Sequence, residues 1–497
     1  MKYKLTSMKR PTRSPFALLF ALATACGGSD DVPEQGIDGP LPRPGGEEDP
    51  ADSSSGGDEP TTPTDPGDDE GPGLDRAPAP PGGGSEPTDP PDSDAPVGDL
   101  QLCVKLAAAP CPTEDDAGMV HHGGLRPWAS CRFELADKGT WEMQDMRLDV
   151  LADTLTEVGV EGVLADTDRL ATSVGQISAL SKLQHFAHAF RWQDVDFGDA
   201  AWMPQGISGS FDANSEGLID GRKVVATAWY YKASVGGLND RDSIVRVSFA
   251  DISALEDDGA VPYRHVLLVE PYDSGGVVNF KATKLHAGGI AWVGRYLYVA
   301  DTANGLRVYD TSRIMEVSTA KDGIGFDAQS GDYLAYGYKY VLPMVSHYAL
   351  SDQSCWVRTS FVSLDATSDP PSLVTGEWHD NDIAGKLVRW PLDGERLLES
   401  DPERGAVMAS EVYFAQESDV QGGISIDGDW FLSTSAQSGN QGLLYRVRAG
   451  RESAAYGWVV GPEDLMWDRQ AGHLWSLNEF AGQRYVFSVA ASQYAKL

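Results

Sequence analysis

Four stretches from residue 202 onward open alike. Trp202-Met-Pro-Gln205-Gly-Ile is followed by Leu285-His286-Ala-Gly-Gly289-Ile, by Gln421-Gly-Gly423-Ile and by Gly461-Pro-Glu463-Asp464-Leu. Each combines a polar residue with one or more small residues or Pro and ends on an aliphatic. Each leads into an aromatic, β-rich run and a second strand. Repeated hairpin units cannot bury their apolar faces alone, so they stack, and radial stacking gives a β-propeller. A propeller brings the same position of every repeat to one place. With the openings as innermost strands, Gln205, His286, Gln421 and Glu463 converge on the central channel.

The charge is unevenly spread. Residues 27–98 hold 19 Asp and Glu against Arg43 and Arg76, so about half of the formal charge of −35 lies there. The stretch is rich in Pro and Gly and nearly without large apolar residues, so it is expected to be a disordered, extended tether over 26–98. The remainder is long enough for one large all-β domain and a small companion. Nucleic acid is excluded as a partner, because no stripe of Lys and Arg exists to neutralise phosphate.

Residues 1–25 read as a targeting segment. Lys2, Lys4, Lys9, Arg10 and Arg13 precede Phe16-Ala-Leu-Leu-Phe-Ala-Leu22, an apolar run too short to span a bilayer. Ala23-Thr-Ala-Cys26 then resembles a bacterial lipoprotein signal, although Leu22 sits one residue further from the Cys than in the usual pattern. The resemblance implies lipidation of Cys26 and anchoring to a membrane through that lipid. Gly27, in place of Asp, implies the outer membrane or cell surface. The alternative is an ordinary secretory signal. A monomer is expected.

Cys103, Cys111, Cys131 and Cys355 remain, and an exported chain meets an oxidising compartment, so two disulfides are expected. Three connectivities exist, of which Cys103–Cys111 with Cys131–Cys355 is favoured. His121-His122, in a Gly-rich loop, read as surface.

Residues 99–185 form a disulfide-containing, partly helical region. From Trp141 to Phe190, Met146, Leu148, Leu151, Leu155, Val158, Leu164, Leu170, Val174, Ile177, Leu180, Leu183 and Phe186 recur at helical spacing, predicting two or three amphipathic helices that cap the propeller. From 186 to 497 the period shifts to two. The strands group by fours near 205–270, 286–348, 358–416, 421–460 and 462–490. The last group lacks an outer strand, and a segment near Ala187–Phe197 would complete it and close the ring, removing free edges. The fold expected is therefore an all-β propeller of four-stranded blades. Five blades are favoured, and six is the alternative if the connections at 232–265 or 310–340 hide another.

His-Ala-Gly-Gly-Ile-x-Trp at 286–292, Leu-Tyr-Val-Ala-Asp-Thr-x-x-Gly-Leu-Arg-Val-Tyr-Asp at 297–310, Leu-Val-Arg-Trp-Pro-Leu at 387–392 and Gly-Pro-Glu-Asp-Leu at 461–465 resemble uncharacterised secreted bacterial β-propeller (lipo)proteins over about 200–497. More distantly, the pattern is similar to senescence-marker/gluconolactonase-like and strictosidine-synthase-like propellers. In those, inner-strand carboxylates and amides hold a divalent metal. Glu463 matches the acidic member of such a set; the Asn and Asp that those families place on other blades are not matched here.

Each candidate has a structural reading beside the functional one. Inner-strand Gln, His and Glu often satisfy backbone groups near a crowded axis. In a concave site the same residues are catalytic (His286 as acid or base, Glu463) or orient a ligand (Gln205, Gln421). Glu463 and Asp464 supply the hard oxygen that calcium takes, and a divalent cation is the cofactor this reading admits. Asp301, Glu377, Ser433 and Glu479 close the second strands as a further ring. There they serve as ligand contacts or acid–base groups, or as plain turn residues. Asp212 to Asp220 spaces oxygens as a calcium loop does, but Lys223 stands at the twelfth position and a polar hairpin loop is favoured. Two function classes follow: an envelope-anchored lipoprotein binding a glycan, peptide or protein at its channel face, or a metal-assisted hydrolase of lactones or glycosides.

Overall fold

In the computed structural model, residues 111, 118–257, 259–397, 405–435 and 441–494 are described. The signal segment, Cys26, the tether and Cys103 lie outside them. Among the described residues no helix is long and apolar enough to cross a membrane.

The period-two runs form antiparallel four-stranded meanders, and the fold is an all-β propeller. The first meander comprises Trp202–Gly209, Val224–Tyr231, Val245–Asp251 and Ala260–Ser274. Ile290–Val293, Tyr296–Asp301, Gly305–Asp310 and Tyr340–Leu350 make the second. Phe361–Asp365, Ser372–Gly376, Lys386–Asp393 and Glu411–Phe414 make the third, with Arg126–Trp128 added at its outer edge. The fourth runs Val420–Ile426, Asp429–Thr434, Gln441–Arg448 and Arg451–Val460. In the fifth, Pro462–Asp468, His473–Asn478 and Tyr485–Ala490 are joined by Phe186–Arg191, which pairs with Tyr485–Ala490 from nearly three hundred residues away. The first strands of the five meanders neighbour one another in a closed circuit. The connection at 310–340 folds as a hairpin of Ile324–Asp327 with Asp332–Ala335.

The strands of this circuit touch backbone to backbone. A Cβ on Gly289 would lie 2.3 Å from Val362 N, and one on Gly422 would lie 2.5 Å from the Cα of Asp464. The Gly residues of the repeated openings are thus what lets the strands meet at the axis. Apolar residues between the sheets form the core, with Trp192, Trp229, Trp292, Trp390, Trp430 and Trp458 among the largest fully buried side chains.

Of the two or three helices expected over 141–190, two α-helices form, at Trp141–Ala152 and Gly159–Ala165, with a 3-10 turn at Ser178–Leu180, while the favoured disulfide pairing is corrected. Arg169–Ser173 and Phe186–Arg191 are strands, because Ala260–Ser274 and Tyr485–Ala490 offer them open edges, and sheet pairing overrides a local helical period. Accordingly Met146, Leu170 and Ile177 of the expected stripe are exposed. The disulfide joins Cys111 to Cys355, with Cα atoms 5.4 Å apart. Cys131 is also disulfide-bonded, and not to Cys355. Cys355 N donates to Arg132 O at 2.6 Å, so Cys355 packs beside Cys131 in space while its sulfur turns to Cys111. Spacing along the chain carries no information on that choice.

Candidate functional site

The first strands of the first, fourth and fifth meanders each carry a bulge at the repeated opening. Gln205 and Gly206 together oppose one residue of Val224–Tyr231, and Glu463 and Asp464 together oppose one residue of His473–Asn478. A register shift falls likewise at Gln421. A bulge turns a side chain out of the alternation of its strand. Here it sends Gln205 and Glu463 toward a common region at one end of the circuit.

Gln205 Nε2 donates to Glu479 Oε2 at 3.1 Å and to its neighbour Pro204 O at 3.1 Å. The same amide bears on the Glu463 carboxyl. Glu463 is 2 % exposed, and burial, the Glu479 charge and the Asp464 charge push it well above the usual carboxylate range. Burial raises Glu479 as well, with Lys232 and Arg484 pulling the other way from farther off. Among the described residues, no cation within ion-pairing distance accompanies either carboxyl. Burial without a counter-charge thus pushes both carboxyls toward the neutral form.

Tyr230 ends the second strand of the first meander and borders the pair. Its hydroxyl is raised to about 12 by burial and by the charges of Glu479 and Glu463. The His286 ring stacks at a tilt on Tyr230, 4.4 Å between centroids. His286 is open to water yet crowded by protein, and desolvation, Lys232 and Arg358 lower it to about 4. It is therefore neutral at ordinary pH. Tyr230 thus connects His286 to the two glutamates.

The remaining candidates lie elsewhere. Asp464 Oδ2 accepts from Ile207 N at 3.1 Å and Ile290 N at 3.2 Å, tying the fifth meander to the first and second at the axis. It is a fully buried crosspiece rather than a lining group. The Gln421 amide donates to Ser435 Oγ at 3.1 Å. Asp301 accepts from Arg307 Nε at 2.9 Å and Asn304 Nδ2 at 3.1 Å, holding the turn after Tyr296–Asp301. Glu377 is enclosed by Arg358 N at 2.7 Å and by Lys386 N and Nζ at 2.8 Å each. In the 212–220 loop, Asn214 Oδ1 accepts from Glu216 N and Gly217 N, an Asx turn in a polar hairpin loop.

Calcium takes six to eight oxygens. Glu463 and Glu479 are the hard side-chain oxygens at the channel end, while Asp464 gives Oδ2 to backbone and keeps Oδ1 without a partner.

Two features escaped the sequence. A cavity of about 280 Å³ is lined by Trp202, Tyr231, Tyr336, Tyr338, Arg241 and His265, among others. Trp202 and Tyr231 pair across the strands that carry Gln205 and Tyr230, but none of Gln205, Tyr230, His286, Glu463 and Glu479 lines the cavity. Behind it, Asp196 accepts from Arg246 at 3.0 Å, Arg169 at 3.0 Å, His265 at 3.1 Å and the Tyr263 hydroxyl at 2.5 Å. Burial works against that carboxylate, but His265, Arg246 and Tyr263 hold it far below its ordinary range. His265 is itself lowered to about 3 by desolvation, so it is neutral, accepting from Ser248 at Nδ1 while donating from Nε2. Ser248 Oγ in turn accepts the Trp229 indole N–H at 2.7 Å. Ser–His–Asp contacts of this kind resemble a nucleophile relay, but Ser248 is fully buried, which makes the network structural.

No family model matches the chain, and no curated protein does. Among solved structures it is similar to Myxococcus xanthus glutaminyl cyclase at 11% identity, over 61% of this chain and 94% of that one, TM-score 0.28. It is similar to the PQQ-bound aldose sugar dehydrogenase of Streptomyces coelicolor at 14% identity, over 58% and 78%, TM-score 0.28. A β-xylosidase is similar at 7% identity, over 58% and 91%, TM-score 0.27. At such values the description of this fold rests on its own strand pairing.

Proposed function

We propose that the chain is an exported lipoprotein whose propeller, counted as five blades from its meanders, binds a glycan-class ligand at the channel face. The observation that carries the reading is the Glu463–Glu479 pair, joined by Gln205 and without a cation. Carboxyls pushed toward the neutral form, an amide and a phenol both donate and accept hydrogen bonds, which is what vicinal hydroxyls require. A separate cavity, with Trp202 and Tyr231 in its lining, adds aromatic faces on the strands that carry Gln205 and Tyr230. Glycan-array binding by the wild type, lost in Glu463→Gln and Glu479→Gln with the fold intact, is the expected result. Equal binding by the variants would remove the channel face from the account.

A second reading, hydrolysis of a glycoside or lactone, is supported by the unequal burial of the two carboxyls. Environments that separate two acids assign one as proton donor and the other as base or nucleophile. Release of a chromophore from aryl glycosides or lactones by the wild type, absent in both variants, would establish it.

Anchoring is tested apart. Cys26→Ser is expected to move the protein from the membrane fraction to the soluble exported fraction. Full retention with membranes would contradict lipidation.

A further inference from the structure

We infer that His121, His122 and Glu417 form a binding site for a divalent transition metal of the zinc class. Among the described residues this is the grouping whose His, Cys, Asp or Glu ligand atoms lie within 4.8 Å of one another. Glu417 lies between the third and fourth meanders, just before the opening at Gln421.

The two halves of the site are held by backbone. Val120 N donates to Gln416 Oε1 at 2.7 Å, His122 N to Gln416 O at 3.2 Å, and Ser453 N to His122 O at 2.9 Å. Gln416 Nε2 returns a bond to Gly124 O at 2.5 Å. The loop around His121 is thus fixed against the turn that carries Glu417. The two imidazoles stack, with centroids 3.7 Å apart, and His122 also stacks on Tyr445 at 5.5 Å.

His122 Nδ1 lies 2.8 Å and His121 Nε2 lies 3.7 Å from Glu417 Oε2. Tetrahedral zinc with bonds of about 2.0–2.1 Å keeps its ligand atoms about 3.3 Å apart, between those two values. The Glu417 side chain is fully buried, and its Oε1 has no hydrogen-bond partner; Ser453 Oγ is near but out of hydrogen-bonding geometry. Both imidazoles face one oxygen of this buried carboxylate, Oε2, and a cation held among the three ligand atoms would neutralise the charge that burial penalises. A His122–Glu417 hydrogen bond alone would leave His121 without a role. The imidazoles are about half open to solvent, which gives an ion its entry path. Imidazole with one carboxylate suits zinc, nickel or copper rather than calcium or magnesium. Three protein ligands leave a fourth position for water.

The test uses the full chain, stripped with chelator and titrated with Zn²⁺ alone, then with Co²⁺ as a spectroscopic probe. One zinc per chain is expected, with a rise in melting temperature that grows with free zinc, and Co²⁺ should give the visible absorption of a tetrahedral site. His121→Ala keeps the His122–Glu417 contact, so without metal it should melt as the wild type does. Both it and Glu417→Gln should weaken uptake by at least the roughly 10–100-fold that loss of an outer partner costs. Wild type that takes up no zinc, or His121→Ala that binds it as tightly as wild type, would overturn the site.

Discussion

Two groups of buried carboxyls, both close to the first meander, have opposite surroundings. Asp196 is met by Arg246, Arg169, His265 and Tyr263, and its charge is held ionised. Glu463 and Glu479 share the Gln205 amide, and both are pushed toward the neutral form. Arg484 stands between the two groups, donating to Asp196 O at 2.8 Å and Glu479 O at 2.7 Å, both backbone carbonyls, so this cation serves main chain instead of pairing with the carboxyls. The first arrangement satisfies every oxygen and locks the closing segment after Phe186–Arg191 onto the first meander. The second leaves a cost that folding alone does not require. Buried charge that is fully partnered reads as structure, and buried charge that is not reads as a site waiting for a ligand.

Breaking the partnered group should have the largest effect. Asp196→Asn keeps the shape but leaves Arg246 buried without a counter-charge, and about 3–5 kcal/mol of stability should be lost in denaturant melts. Because the folded Asp196 is depressed, its contribution is present above the ordinary carboxylate value of 3.8 and lost as pH falls below it. The variant should therefore show a shallower loss of stability below that pH than wild type.

A smaller effect of the opposite sign sharpens the contrast at Asp212. This carboxyl is raised from 3.8 to about 7 by burial, with Ser208 Oγ donating to it at 2.8 Å. A raised group costs nothing below 3.8, and its cost grows as pH rises from there to about 7. Asp212→Asn should gain on the order of 1–3 kcal/mol at pH 8 and nothing at pH 4, measured by thermal melts across that range. Equal effects at both pH values would show that the carboxyl is not the strained form at neutral pH.

His286→Ala should change stability least, within about 0.5 kcal/mol, since the ring is open to water. Its effect should fall on ligand affinity instead.

The parts of this arrangement that repeat along the chain were legible in sequence. Gln205 and Glu463 stood at one repeat position, and the bulges there do bring them to one region. The closing strand was placed near Ala187–Phe197 because the last unit was short, and Phe186–Arg191 fills that edge. What does not repeat was hidden. Asp196 draws its partners from Arg169, Arg246, Tyr263 and His265, residues whose proximity exists only once strands pair. Cys111 and Cys355 are separated by 244 residues, and no spacing distinguishes them from the alternatives. Gln421 and Glu463 share an equivalent position, but Ser435 captures the amide, so repeat position fixes where a side chain starts and not where it points.

The most direct test compares the two groups in one experiment, by melting wild type, Asp196→Asn and Glu463→Gln side by side at pH 8. Folded Glu463 is raised, so the ionised form costs stability as pH climbs above its ordinary value of 4.5 toward and past the folded one. The account predicts opposite signs: a clear fall for Asp196→Asn, and a melting temperature equal to or above wild type for Glu463→Gln. A fall of comparable size in both would contradict it, because Glu463 would then be a partnered structural group like Asp196.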